Sequence, residues 1–144
     1  MKHVTEWKCG VRSRFWIRSA ELTVDMLRQT LGVEPEASYP KDESLGDEYP
    51  SPFHRFVLMN SSQEAEGAGC LGCMEAEIER MLGRVDAIAP RLATLQGQVE
   101  LEMRVFYQAN GGFIPLDLSP DLLRRLSALG CTLKLHVGYD QHKD

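Results

Sequence analysis

Cys70 and Cys73 form a C-x-x-C pair where a helical hydrophobic period begins. A thiol at a helix N-terminus lies among unpaired backbone N–H groups, whose field favours thiolate and lowers the thiol pKa. The chemistry of such a pair is dithiol–disulfide exchange, so a thiol redox protein using Cys70 and Cys73 is one expectation. Two features oppose it. In redox motifs of this kind a strand runs straight into the helix, whereas here a loop rich in Glu and Gly intervenes. Pro115 and Pro120 fall at a turn and a helix start rather than opposite the thiols. The simpler reading is two incidental cysteines, one packed under the helix and one exposed. A metal site needs two further ligands. Cys9, Cys131, His54 and His136 are scattered singly instead of paired, so neither a metal nor a cofactor is expected.

The second constellation is a surface. Val11, Ser13, Phe15 and Ile17 alternate with Arg12, Arg14, Trp16 and Arg18, as in a half-buried strand. Arg104 and Phe106 take the same side of a second alternating segment, and Lys134 and His136 that of a third. If these strands are neighbours, one sheet face is basic and aromatic. Trp, Phe and Arg suit a protein interface. Single-stranded nucleic acid is the alternative, because bases stack on rings and arginines hold phosphates, although the overall acidity of the chain opposes it. The plainest reading is cross-strand salt bridging, from Arg12 or Arg14 to Glu100 or Glu102, with Trp16 shielding the sheet. There is no Ser-His-Asp order, P-loop or dinucleotide fingerprint, and Asn110-Gly111-Gly112 does not lead directly into a helix. Binding is therefore expected rather than catalysis.

Charge is localised. The 144 residues carry a net charge of −5, and residues 34–48 hold Glu34, Glu36, Asp42, Glu43, Asp47 and Glu48 against Lys41 alone. The rest is near neutral, and Asp42, Glu43, Asp47 and Glu48 form an acidic loop able to steer a basic partner. Nothing in the sequence is long and apolar enough to cross a bilayer, and residues 1–10 lack the apolar region of a secretory signal. A cytoplasmic protein with reduced thiols and no membrane contact is expected. With 43% hydrophobic residues, the chain suits a single domain over 1–144 with an acidic, Pro-containing loop at 34–52.

The elements that position these residues follow from periodicity. Residues 11–19 predict a strand. Thr23 caps a short helix over 24–31, with Met26, Leu27 and Leu31 inward and Gly32 ending it. Residues 53–60 predict a strand and 61–69 a loop. A helix runs from Cys70 through Met74, Ile78, Met81, Leu82, Val85 and Ile88, and Pro90 opens a further turn holding Leu92 and Leu95. Residues 99–107 alternate, Asn110-Gly111-Gly112 turns, and Ser119-Pro120-Asp121 starts a helix with Leu122, Leu123, Leu126 and Leu129 as its stripe. Gly130 ends it, residues 131–139 form the last strand with Cys131 as a small core residue, and residues 141–144 are a polar tail. Strands with one apolar face predict helices on one side only. The fold class is α+β: a two-layer sandwich whose mainly antiparallel or mixed sheet has four to five strands.

Phe15 to Ile17, Leu31-Gly32-Val33-Glu34-Pro35, Gly111-Gly112-Phe113, Leu126-Ser127-Ala128-Leu129-Gly130 and Tyr139 follow one another in an order that resembles an uncharacterised bacterial family, the domain of unknown function 4279. The resemblance covers most of the chain. It implies a compact α+β domain and no activity, cofactor or catalytic residue. Some small bacterial proteins of this kind look like immunity partners of toxins. The expected function is thus a small binding protein, immunity-type or regulatory, whose protein partner (a toxin is one candidate) meets the Arg/Trp face or the acidic loop.

Overall fold

The structure, a computed structural model, describes residues 3, 6–43, 51–110 and 116–139. The expected Gly111-Gly112-Phe113 turn, Asp47, Glu48 and the polar tail lie outside the described residues. Five strands form one mixed sheet: β1 (Lys8–Ser19), β2 (Ala37–Tyr39), β3 (His54–Glu66), β4 (Glu100–Ala109) and β5 (Cys131–Tyr139), in the order β2-β3-β1-β4-β5. Every pairing is antiparallel except β4 with β5, which run parallel. Parallel neighbours need a crossover, and α4 (Pro120–Leu129) lies on it. Three other helices are α1 (Val24–Leu31), α2 (Cys73–Asp86) and α3 (Ala89–Ala93). This is the expected α+β class.

All four helices feed one core. Leu27 and Leu31 of α1, Ile78, Met81, Leu82 and Val85 of α2, Leu92 of α3, and Leu122 and Leu126 of α4 pack with Val11, Phe15, Ile17, Phe56, Met103 and Val105. The opposite face of the sheet receives no helix among the described residues. Helix ends form where the local chemistry places them. The Thr23 hydroxyl accepts from Met26 N–H and the Ser119 hydroxyl from Leu122 N–H. Gly32 and Gly130 adopt φ of 69° and 71°. Gly32 has a second reason to be glycine. Arg91 donates to the Leu31 carbonyl at 2.9 Å, and a Cβ on residue 32 would lie 1.9 Å from that guanidinium.

Several sequence expectations are corrected. β3 continues through residues 61–66, which were expected as loop. Their polar side chains satisfy a strand because β1 pairs with them along its whole first half. The segment 53–60 does not alternate because the β1–β3 register shifts between Phe15 and Trp16, Phe15 facing Met59 and Trp16 facing Val57. The bulge sends Phe56, Leu58 and Met59 to the core and leaves Val57 on the other side. Residues 37–39, inside the expected loop at 34–52, are an edge strand on β3. Cys70 lies in a 3-10 turn (Gly67–Leu71), and α2 starts at Cys73. Pro90 is the second residue of α3, not the first. Met26 and Leu123, expected inward, are about half exposed at 50% and 48%. No helix among the described residues is long and apolar enough to cross a membrane.

One buried carboxylate ties α2 to the sheet. Glu77 is fully enclosed, and Ser13 Oγ donates to its Oε1 at 2.7 Å while Arg80 pairs with its Oε2. Burial alone would raise its pKa, but hydrogen bonds from Ser61, Ser13 and Arg80 outweigh this and hold it below the usual carboxylate range. A depressed folded-state pKa means stability that is complete above the unfolded pKa and lost as pH falls through the folded one. Glu77→Ala, which strands two hydroxyls, is expected to cost about 2–4 kcal/mol in urea unfolding at pH 7. The gap between the wild type and Glu77→Gln is expected to close as pH drops below the carboxylate range; a gap that persists there would refute the linkage.

Candidate functional site

The helix-free face is assembled by strand register. Ser62, Arg12, Phe106 and His136 form one row across the sheet. Asn60, Arg14, Arg104 and Lys134 form the next, and Val57, Trp16, Glu102 and Thr132 a third. Arg55, Arg18 and Glu100 follow, with Tyr39 beside Arg55 on β2. The residues singled out in sequence, Arg12, Arg14, Trp16, Arg18, Arg104, Phe106 and His136, are thus brought together on one surface. Arg55, Tyr39, Asn60 and Ser62 join them. The sequence hid these four, because their side of the sheet depends on the bulge and on an edge strand inside an apparent loop.

The expected role of Trp16 is corrected. Its residue is only 4% exposed, although it is not part of the helix-side core. The guanidinium carbons of Arg14, Arg55 and Arg104 stand 5.1, 5.7 and 5.7 Å from its ring centroid, and Tyr39 packs against it at 6.0 Å. The indole is a buried platform that carries arginines, not an exposed contact. Phe106 is similarly occupied. Arg12 on one neighbouring strand lies 5.6 Å from its centroid, and His136 on the other stacks at 4.7 Å with planes 14° apart. Phe106 nevertheless stays 36% exposed, whereas the buried Trp16 ring offers no open face of the kind base stacking needs.

The salt bridges also differ from the expected ones. Arg18 pairs with Glu100 at 2.9 Å, while Arg104 and Lys134 share Glu102 at 3.0 and 2.9 Å. Burial would raise the Glu102 pKa, but the Lys134 hydrogen bond and the charges of Arg104, Lys134 and Arg18 keep it below the usual carboxylate range. Arg12 and Arg14 lie within ion-pair distance of no carboxylate among the described residues. Arg14 donates from Nε to Asn60 Oδ1 at 2.6 Å. The register even sets like charges directly opposite each other, Arg14 against Arg104 and Arg18 against Arg55, an arrangement that is unfavourable in an isolated sheet. Trp16 Nε1 and the Nε atoms of Arg18, Arg55 and Arg104 on this face are buried without hydrogen-bond partners among the described residues, as is the Tyr107 hydroxyl on the core side, while Glu102 Oε1 has only its ion pair with Lys134. The four nitrogens are all donors. Arg12, Arg14, Asn60, Ser62, Arg104 and Phe106 line a groove of about 470 Å³ on this face. It runs into a trough of about 490 Å³ over Gly10, Gln108 and Gly138. Such a surface can hold oxyanions by charge and hydrogen bonding.

The other candidates lie apart from it. Asp42 and Glu43 are exposed, Asp42 with φ of 70° and Glu43 accepting from Arg55 through its carbonyl at 2.8 Å. Glu34 pairs with Arg28 and Glu36 accepts from Asn60 N–H, so part of the acidic segment serves internal contacts. His54 Nδ1 accepts from Lys41 N–H at 3.0 Å. Cys70 and Cys73 are both buried. Burial, with the Cys9 thiol beside them, pushes each up to about 12. This is the opposite direction from a redox pair, in which helix-end fields lower a thiol. Cys131, half-buried against the core, is pushed up to about 11, also by burial. No group of three or more His, Cys, Asp or Glu among the described residues is arranged for a metal ion.

A single-sided α+β sheet protein with a basic, donor-rich open face is what the geometry defines. The chain belongs to the family described as Domain of unknown function (DUF4279), whose model matches residues 6–140. No curated protein and no solved structure matches it.

Two outcomes are expected. Trp16→Ala should cost about 3 kcal/mol or more in denaturant unfolding, because it empties a buried site under three guanidiniums; a loss below 1 kcal/mol would show the ring to be dispensable packing. Cys70 and Cys73 should resist alkylation by iodoacetamide at pH 8 in the native chain and react at the rate of ordinary thiols only in denaturant. Fast native labelling of either would contradict the raised pKa.

Proposed function

We propose that the chain is a single-domain binding protein that recognises an acidic polypeptide on the helix-free face of its sheet. The observation carrying this reading is that Arg12 and Arg14 reach that face with no carboxylate partner among the described residues and, with Arg104, line a groove that an acceptor-rich ligand would fit. Arginine stays protonated at any physiological pH and matches carboxylates through two parallel hydrogen bonds, so recognition would be pH-insensitive and salt-sensitive. An immunity-type role fits within this reading, with a toxin carrying an acidic groove as the partner, as does a regulatory role in the cytoplasm. Acidic polypeptide is favoured over single-stranded nucleic acid because Trp16 is buried beneath its arginines and Phe106 already holds Arg12 and His136 against its ring.

Labelled polyglutamate and a labelled single-stranded oligonucleotide of equal charge serve as probes. The protein is expected to bind polyglutamate more tightly, with affinity falling as salt rises. Arg12→Glu with Arg14→Glu should reduce it at least tenfold, whereas Arg124→Glu, on exposed helix α4, should leave it unchanged. Tighter binding of the oligonucleotide, or equal loss in both variants, would overturn the reading.

A further inference from the structure

β3 spans thirteen residues and β2 only three. β2 pairs with Arg55, Phe56 and Val57, so the remainder of β3 has no strand on that side among the described residues. The direction of its backbone groups can be worked out. Asn60 N–H donates to the Glu36 carboxylate at 2.6 Å, which turns it away from β1. In an antiparallel ladder both backbone groups of a residue point the same way, and successive residues alternate. Ser62 and Glu64 therefore present N–H and C=O to the open edge, while Ser61, Gln63 and Ala65 use theirs on β1. Glu36 blocks the first position of this edge and the bulge guards the one before it. Beyond Asn60 the stretch contains no proline and no lysine, two of the usual guards of an exposed edge.

The open edge adjoins the basic face. Arg14 leans over β3 toward it, as its bond to Asn60 Oδ1 requires, and Ser62 is too short to screen it. We propose that an extended segment of the acidic partner adds to β3 as a further strand, pairing with the backbone of Ser62 and Glu64 and setting a carboxylate on Arg14. An added strand lies about 5 Å from β3, and every second side chain faces the helix-free side. The one beside Ser62 falls within reach of Arg14 and favours an acid. The one beside Glu64 meets a like charge and favours a neutral or basic residue, which selects a register. The inference rests on the acidic-partner reading and adds to it a backbone-directed docking mode.

The probe is an end-blocked octapeptide of threonine and valine carrying one central glutamate, compared with its glutamine analogue. Binding is measured by calorimetry and by amide hydrogen exchange of the full chain. The Ser62 and Glu64 amides are expected to gain protection. Ser62→Pro, which removes an N–H that β1 does not use, should keep the unfolding midpoint near wild type and weaken the peptide about tenfold, as should glutamine in the peptide. Wild-type affinity in Ser62→Pro, or unprotected amides at saturation, would overturn strand addition. If the arginine reversals still abolish polyglutamate binding in that event, the face reading stands and only the docking mode fails. Should Ser62→Pro not fold, amide protection in the wild type decides the matter.

Discussion

Trp16 is a large apolar ring on the side of the sheet that receives no helix among the described residues, and guanidinium groups do the covering. This single packing arrangement shapes the rest of the face. An indole left to water would be an adhesive patch; three arginines laid over it exclude water while keeping their outer edges polar. The arrangement concentrates positive charge, and the sheet supplies little to neutralise it. Glu102 takes two bases, Glu100 takes one, and Arg12 and Arg14 have neither.

The two faces of the sheet therefore obey different rules. On the helix side, leucines and methionines from four helices meet Phe15, Ile17 and Met103, and the one buried carboxylate, Glu77, has its hydrogen bonds met. On the other side, like charges face each other across strands, Arg14 against Arg104 and Arg18 against Arg55. A chain selected for stability alone would not retain such oppositions, since each costs free energy. Sites that break the packing rules obeyed elsewhere in a fold are where function is to be sought. The buried thiols follow the helix-side rules: they act as small apolar groups, and their raised pKa values match that role.

Much of the architecture was legible in the chain because it rests on local chemistry. The alternation of residues 11–19 and 99–107, the capping hydroxyls of Thr23 and Ser119, and the left-handed Gly32 and Gly130 follow from preferences that hold over a few residues. The extension of β3 through 61–66 was not legible, since its polar residues become strand only by pairing with β1. Nor was the splitting of residues 53–60 between two faces, which a bulge opposite Phe15 and Trp16 produces. Met26 and Leu123 sit on the predicted helices but point outward, because the apolar stripe of each helix is narrower than its leucine and methionine content suggests.

The candidate site divides in the same way. Composition and period two by themselves determined that Arg12, Arg14, Trp16 and Arg18 share one side of a strand, and that Arg104, Phe106 and His136 do so on theirs, because side-chain direction in a strand depends only on parity. Only the tertiary structure decided that these sides form one surface, that Trp16 lies beneath its arginines, and which bases find a carboxylate. Those outcomes depend on strand order and register, which long-range pairing and a bulge establish and no local preference encodes.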